Sequence, residues 1–173
     1  MNDKKTLVVY YTSSGNTERV AQTIAEALGA HIEGIQEVKP TQVDLHGKGL
    51  DNFLSMGKTA FRAITDRPVG IQSLQRDVAD YELVVIGTPV YAGSVSSPVR
   101  AFLQQECGKM KAVAFFCTGD DPANEKVFVQ MQGVCGLEPL TAFPFHAPEV
   151  RQGAFQPQLE AFLAQLGEAT ARP

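Results

Sequence analysis

Residues Val8–Leu28 read VVYYTSSGNTERVAQTIAEAL. The stretch opens on apolar and aromatic residues and passes through six small polar ones, Thr12-Ser13-Ser14-Gly15-Asn16-Thr17. It then takes up helical spacing, with Val20, Ile24, Ala27 and Leu28 on one face and Gly29 as a stop. A short continuous apolar run marks a strand buried on both faces. The loop behind it carries four hydroxyls and no cation. A helix start presents N–H groups without intrahelical partners and roughly half a positive charge. Hydroxyls add donors, and Gly15 allows the backbone to close around a ligand. One hydroxyl would suffice as an N-cap; four imply an anion cradle, suited to a phosphate monoester held by neutral donors. Neither G-x-x-x-x-G-K-[ST] nor G-x-G-x-x-G is present in the loop.

Outward from this stretch, strand-like and helix-like runs alternate. The spacing predicts strands at Thr6–Tyr11, His31–Val38, Leu83–Gly87, Lys111–Cys117 and within PLTAFPF, 139–145. It predicts helices at Asn16–Leu28, Ser97–Gln105, Glu125–Gly133 and Pro157–Leu166. Central strands that are apolar throughout call for a parallel sheet covered by helices on both sides. Ligands of such sheets bind beyond the carboxyl ends of the strands, where neighbouring connections diverge. Three polar, Gly-containing loops are therefore expected to meet there: Thr12–Thr17, Thr88–Gly93 and Thr118–Asp121.

The opening stretch resembles the flavodoxin signature, with Val8, Val9, Tyr10, Thr12, Gly15, Thr17, Ala21 and Ile24 in its places. The resemblance implies an α/β three-layer sandwich around a five-stranded parallel sheet of order 2-1-3-4-5. It also implies a bound FMN, whose phosphate Thr12, Ser13, Ser14, Gly15, Asn16 and Thr17 would clasp. The isoalloxazine ring would fall to the other two loops. In the first, Pro89 and Val90 would line one edge, Tyr91 would stack on the ring face, and Ala92 and Gly93 would bring backbone close to it. In the second, Cys117 would lie nearby while Thr118, Gly119 and Asp120 offered main-chain donors. Turn and cap roles for Pro89, Gly93, Asp120 and Asp121 stay open, as does simple packing for Cys117.

The 173 residues fit one domain, 1–173, interrupted by a long segment at about 40–72. Leu50, Phe53, Leu54, Phe61 and Ile64 recur there on one helical face, as in a flap over the cofactor or an apolar face buried on the core or in a homodimer. A net charge of −4 speaks against nucleic acid as a partner. No apolar run reaches the length of a membrane span, and no secretory pattern opens the chain, so a cytoplasmic location is expected. Cys107, Cys117 and Cys135, odd in number and scattered, are expected to be reduced structural thiols. His31, His46 and His146 are dispersed, without the spacing of a metal site.

Two functions fit these residues. One is an electron carrier, in which FMN passes electrons between protein partners. The other is a reductase, in which NAD(P)H reduces the flavin and a quinone or similar small-molecule acceptor follows. Flavodoxins are commonly more acidic than this chain and often carry a Trp beside the flavin; here there is no Trp. The sequence holds no second dinucleotide fingerprint and no acid–base His beside the loops (His46 is the nearest), so the carrier is the first expectation. A phosphate-accepting receiver would need acidic residues after the first strand, where Thr12-Ser13-Ser14 stands.

Overall fold

The structure, a computed structural model, describes residues 5–38, 69–121 and 125–171. In chain order its elements are β1 (Thr6–Tyr10), α1 (Asn16–Leu28), β2 (His31–Gly34), β3 (Leu83–Tyr91), β4 (Ser94–Val95) and α2 (Ser97–Glu106). There follow β5 (Val113–Gly119), α3 (Glu125–Cys135), β6 (Ala142–His146), α4 (Ala147–Gln152) and α5 (Gln156–Ala171). Strands β2-β1-β3-β5-β6 lie side by side in that order, all parallel. The two-residue β4 folds back antiparallel on the end of β3. With β4 set aside, this is the expected 2-1-3-4-5 arrangement.

Strand alternation explains the three layers. Leu7, Val9, Val84, Ile86, Val113 and Phe115 point to one face, where Val99, Phe102 and Leu103 of α2 and Val127 and Met131 of α3 cover them. Val8, Val85, Ala114 and Phe116 point to the other, under Val20, Ala21 and Ile24 of α1 and Leu159, Phe162 and Leu166 of α5. Each fully buried side chain of this size contributes roughly 1.5–3 kcal/mol over exposure. Both faces must be apolar for the sheet to be covered twice, which is why the central strands read as unbroken hydrophobic runs. Gly29 ends α1 in the left-handed region (φ 59°), its N–H returning to the last helical carbonyls, as its position predicts.

Several boundaries differ from expectation. β2 stops at Gly34, and among the described residues the segment that follows it makes an antiparallel bridge, Glu37 with Ile71. The Val38 N–H donates to the Gly70 carbonyl (2.8 Å) and the Gln72 N–H to that of Gln36 (2.8 Å), so the two ends of the long connection meet beside the sheet edge. Most of the helical segment expected at about 40–72, with His46, lies outside the described residues; the short described part, 69–72, is not helical and carries the Ile71 bridge. β3 runs four residues past Gly87, through Thr88-Pro89-Val90-Tyr91, so this stretch is strand and not the expected loop. Pro89 is tolerated because it sits near the end of the ladder, opposite Thr118.

The expectation of three reduced thiols is corrected. Cys107, just after α2, is joined by a disulfide to Cys135 at the end of α3, and only Cys117 is a free thiol. The two helices cover the same sheet face, and their carboxyl ends bring together cysteines 28 residues apart; no local spacing signals this. Closing a loop of that length stabilises by roughly 3–4 kcal/mol on the chain-entropy account. Cys135→Ser is accordingly expected to lower the melting temperature by roughly 10 °C. Equal melting of oxidised wild type and variant would contradict a formed bond.

Candidate functional site

The sheet order places β1 between β2 and β3, so the connections leaving β1 and β3 diverge and open a crevice at their carboxyl ends. The three polar segments meet there. Thr17 Oγ1 lies 2.8 Å from Thr118 Oγ1, both side chains almost fully buried, tying the start of α1 to the end of β5. Tyr91, at the end of β3, donates its phenol O–H to Ser13 Oγ, linking the second segment to the first.

Within the first segment, the Gly15 N–H donates to Thr12 Oγ1 (3.0 Å) and folds the loop back on itself. Gly15 has φ 86°, a conformation that costs an L-residue with a side chain about 1–2 kcal/mol. It is the N-cap of α1, and no side chain caps that helix. The first intrahelical bond is from Arg19 N–H to the Gly15 carbonyl (3.0 Å), so the N–H groups just before it lack intrahelical acceptors. A 13-residue helix therefore aims uncapped donors at a loop whose Ser13 and Ser14 are exposed. The charged neighbours are turned away. Arg19 donates to the Val150 carbonyl near the end of α4 (3.0 Å), and Glu18 accepts the Tyr10 O–H (2.9 Å). The donor set is neutral and fits a phosphate through hydroxyls and main-chain N–H groups.

The second segment ends in a hairpin. Tyr91 pairs with Ser94 around a two-residue turn, Ala92-Gly93. Both turn residues have positive φ, 48° and 76°, as the right-handed twist of a tight hairpin demands. Thr88, fully buried, anchors the other side of the hairpin: its Oγ1 accepts the Ser96 N–H (3.1 Å) and pairs with Ser96 Oγ (3.0 Å). Ala92 and Gly93 are exposed at the tip, whereas Pro89 is buried and Val90 packs against the core.

In the third segment, Thr118 and Gly119 close β5, while Asp120 projects outward and pairs with Arg151 of α4 (3.1 Å). Of the two roles left open for Cys117, its side chain takes the packing one. Its side chain belongs to the sheet interior, with no exposure, because strand alternation turns it to the face under α2 and α3. Burial pushes the thiol from its ordinary value of 9.0 up to about 12. The folded protein then holds this proton over a range where the unfolded chain releases it. That contribution to stability is intact below about pH 9 and lost as pH rises towards 12. A urea titration over that window is expected to show falling stability in wild type and a flatter profile in Cys117→Ala; parallel profiles would refute the assignment.

Three residues of this rim escaped the sequence reading. His146 ends β6 opposite Gly119 and lies 3.5 Å from Glu149 through Nδ1. It is 27 residues past Gly119, and only the register brings them together. Gln130 of α3 reaches the hairpin tip. Tyr11 donates to Glu37 (2.7 Å). With Tyr10, Thr12, Glu18 and Gly34, Tyr11 and Glu37 line a cavity of about 330 Å³ on the β2 side of the loop. Desolvation, reinforced by the hydrogen-bonded carboxylates, pushes Tyr10 up to about 12 and Tyr11 well above the usual phenol range. Both phenols remain protonated donors to carboxylates, so this side of the loop is acidic and unsuited to an anion. Among the described residues no group of three His, Cys, Asp or Glu side chains is arranged for a metal, and no helix is long and apolar enough to cross a membrane.

Sheet order and the two helical layers together define a flavodoxin-like fold, with the crevice at the strand ends as its candidate ligand site. The sequence profile of the NADPH-dependent FMN reductase family matches residues 6–132, and the chain belongs to that family. Membership points to FMN as the flavin and places the chain among oxidoreductases at the family level. A curated NAD(P)H dehydrogenase (quinone) from Cupriavidus metallidurans is 31% identical over 109 residues, covering 60% of this chain and 47% of that protein. Another of the same name, from Chromohalobacter salexigens, is 30% identical over 105 residues, with 60% and 48% covered. The chain thus spans about half the length of the curated relatives it matches. Among solved structures, a flavoprotein in complex with FMN from Lactobacillus acidophilus superposes with a TM-score of 0.65 at 22% identity, covering 86% of this chain and 97% of that one. The flavodoxin, WrbA-like protein from Agrobacterium tumefaciens does so at 0.55 and 16%, covering 99% and 100%. At these identities the likeness is one of fold.

Proposed function

We propose that this protein is an FMN-dependent reductase that takes electrons from a nicotinamide donor, NAD(P)H, and gives them to a quinone or similar small acceptor. The single observation that carries the reading is the uncapped start of α1 behind a cation-free loop, tied to β5 through Thr17 and Thr118 and to β3 through Ser13 and Tyr91. The family match and the curated relatives, both named for nicotinamide-dependent activity, favour the reductase over the carrier that the sequence put first. FMN, when bound, supplies the redox chemistry that no side chain of this protein provides.

The chain's own contribution is binding and exclusion. Thr12, Ser13, Ser14 and the main-chain N–H groups of Asn16 and Thr17 would hold the phosphate, while the Gly15 N–H shapes the loop through its bond to Thr12 Oγ1. Tyr91, Ala92 and Gly93 would border one side of the ring, supported by buried Pro89 and core-packed Val90. Thr118, Gly119 and Asp120 would offer main-chain donors on the other side. Passing electrons to a small acceptor calls for neither a nucleic acid nor a membrane.

Anaerobic mixing of the FMN-loaded protein with NADH and with NADPH tests it. The visible flavin absorbance is expected to bleach rapidly with at least one of them and to return on adding a quinone. A flavin that stays oxidised with both donors, yet is reduced by a protein partner, would make the protein a carrier.

A further inference from the structure

The tip of the β3–β4 hairpin is held from outside the sheet. Ala92, φ 48°, is the described non-glycine residue with positive φ, a conformation that persists only where the surroundings enforce it. The enforcement is visible in Gln130. Its Nε2 donates to the Gly93 carbonyl (3.3 Å), and its Oε1 accepts the Val95 N–H (3.1 Å). Pairing geometry explains why Val95 needs this acceptor. A two-residue turn makes Tyr91–Ser94 the closing hydrogen-bonded pair, so Val90–Val95 is the non-bonded pair and its N–H points away from β3. Val95 is fully buried, and an unmatched N–H there would be costly. One amide side chain thus satisfies a buried donor and fixes the direction of the Gly93 carbonyl.

We propose that Gln130 is a positioning residue for the flavin: it clamps the Ala92–Gly93 turn so that the Gly93 carbonyl faces α3 and not the cofactor. The inference rests on the reading that this turn borders the ring. Its consequence has a sign. A carbonyl held by Gln130 is withheld as an acceptor for the N–H that a reduced flavin acquires. Releasing it adds an acceptor for the reduced form alone, so the flavin becomes easier to reduce.

The test uses Gln130→Leu and the unbranched Gln130→Met, neutral replacements that remove both hydrogen bonds without adding charge; Gln130→Met serves if the branched side chain disturbs folding. In flavin-free protein, amide exchange at Val95 is expected to speed up roughly tenfold, about the worth of one hydrogen bond. In FMN-loaded protein the midpoint potential is expected to become less negative. Faster exchange with an unmoved or more negative potential shows a structural brace only and overturns the inference, as do unchanged exchange and potential. If wild type takes up no FMN, the flavin reading fails and the inference with it. If wild type binds FMN and the variants match it, the inference fails alone.

Discussion

Ser14→Asp is expected to weaken FMN binding by about a thousandfold while leaving riboflavin nearly untouched. Ser14 is exposed in a loop whose neighbours are hydroxyls and glycine, so the substitution meets no packing constraint. It places one negative charge beside a phosphate that is held by neutral groups. Two unit charges about 4 Å apart repel by roughly 4 kcal/mol at the effective dielectric of a protein surface. No cation of the loop offsets this, because Arg19 is engaged with the Val150 carbonyl and the loop contains none. Riboflavin lacks the phosphate and reports any loss that comes from disturbed structure. Comparable losses for both ligands, read by quenching of flavin fluorescence, would move the phosphate to another place.

The second large effect concerns the scaffold beneath the site. Gly87 lies in β3 between Tyr10 of β1 and Phe116 of β5. A Cβ built on it would stand 2.5 Å from Cε1 and 2.6 Å from Cε2 of Phe116, and closer still to Cζ. Phe116 is fully buried and packs edge-on against Phe145, so its ring has no open space to enter. Gly87→Ala is expected to cost about 3 kcal/mol, the upper part of the usual overpacking range. Adding Phe116→Leu is expected to recover part of that loss, because the clash is with the ring itself; measured by urea unfolding, a harmless single variant or a purely additive pair would contradict it. The glycine matters to function because it lets Phe116 cross under the strand whose continuation forms the hairpin.

The physical signals that could be read from the chain alone were those that act locally. Apolar runs marked β1, β3 and β5, because a strand covered on both faces must be hydrophobic on both. Helical spacing and Gly29 placed α1 to the residue. The meeting of three loops followed from topology, since a parallel sheet leaves one end for the turns that carry polar residues. Where pairing overrode local chemistry, the reading failed. Thr88-Pro89 looks like the start of a turn, yet β5 and β4 hold that stretch as strand through Tyr91. The six-residue α4, with Pro148 near its start, is too short to show a period. The Cys107–Cys135 bond, the approach of His146 to Gly119 and the reach of Gln130 to Gly93 join residues far apart in the chain. Composition has no means of signalling them. The order of the two functional readings also changed. Neither charge nor the lack of Trp separates a reductase from a carrier, whereas the family match does favour one.

The most direct measurement is a titration of flavin-free protein with FMN and with riboflavin under the same conditions. A phosphate gripped by the first turn of α1 and its hydroxyl loop makes several hydrogen bonds to a charged group, each contributing about 1.5–3 kcal/mol. FMN is therefore expected to bind at least a hundredfold more tightly than riboflavin. Equal affinities, or preference for the phosphate-free flavin, would contradict the account at its root.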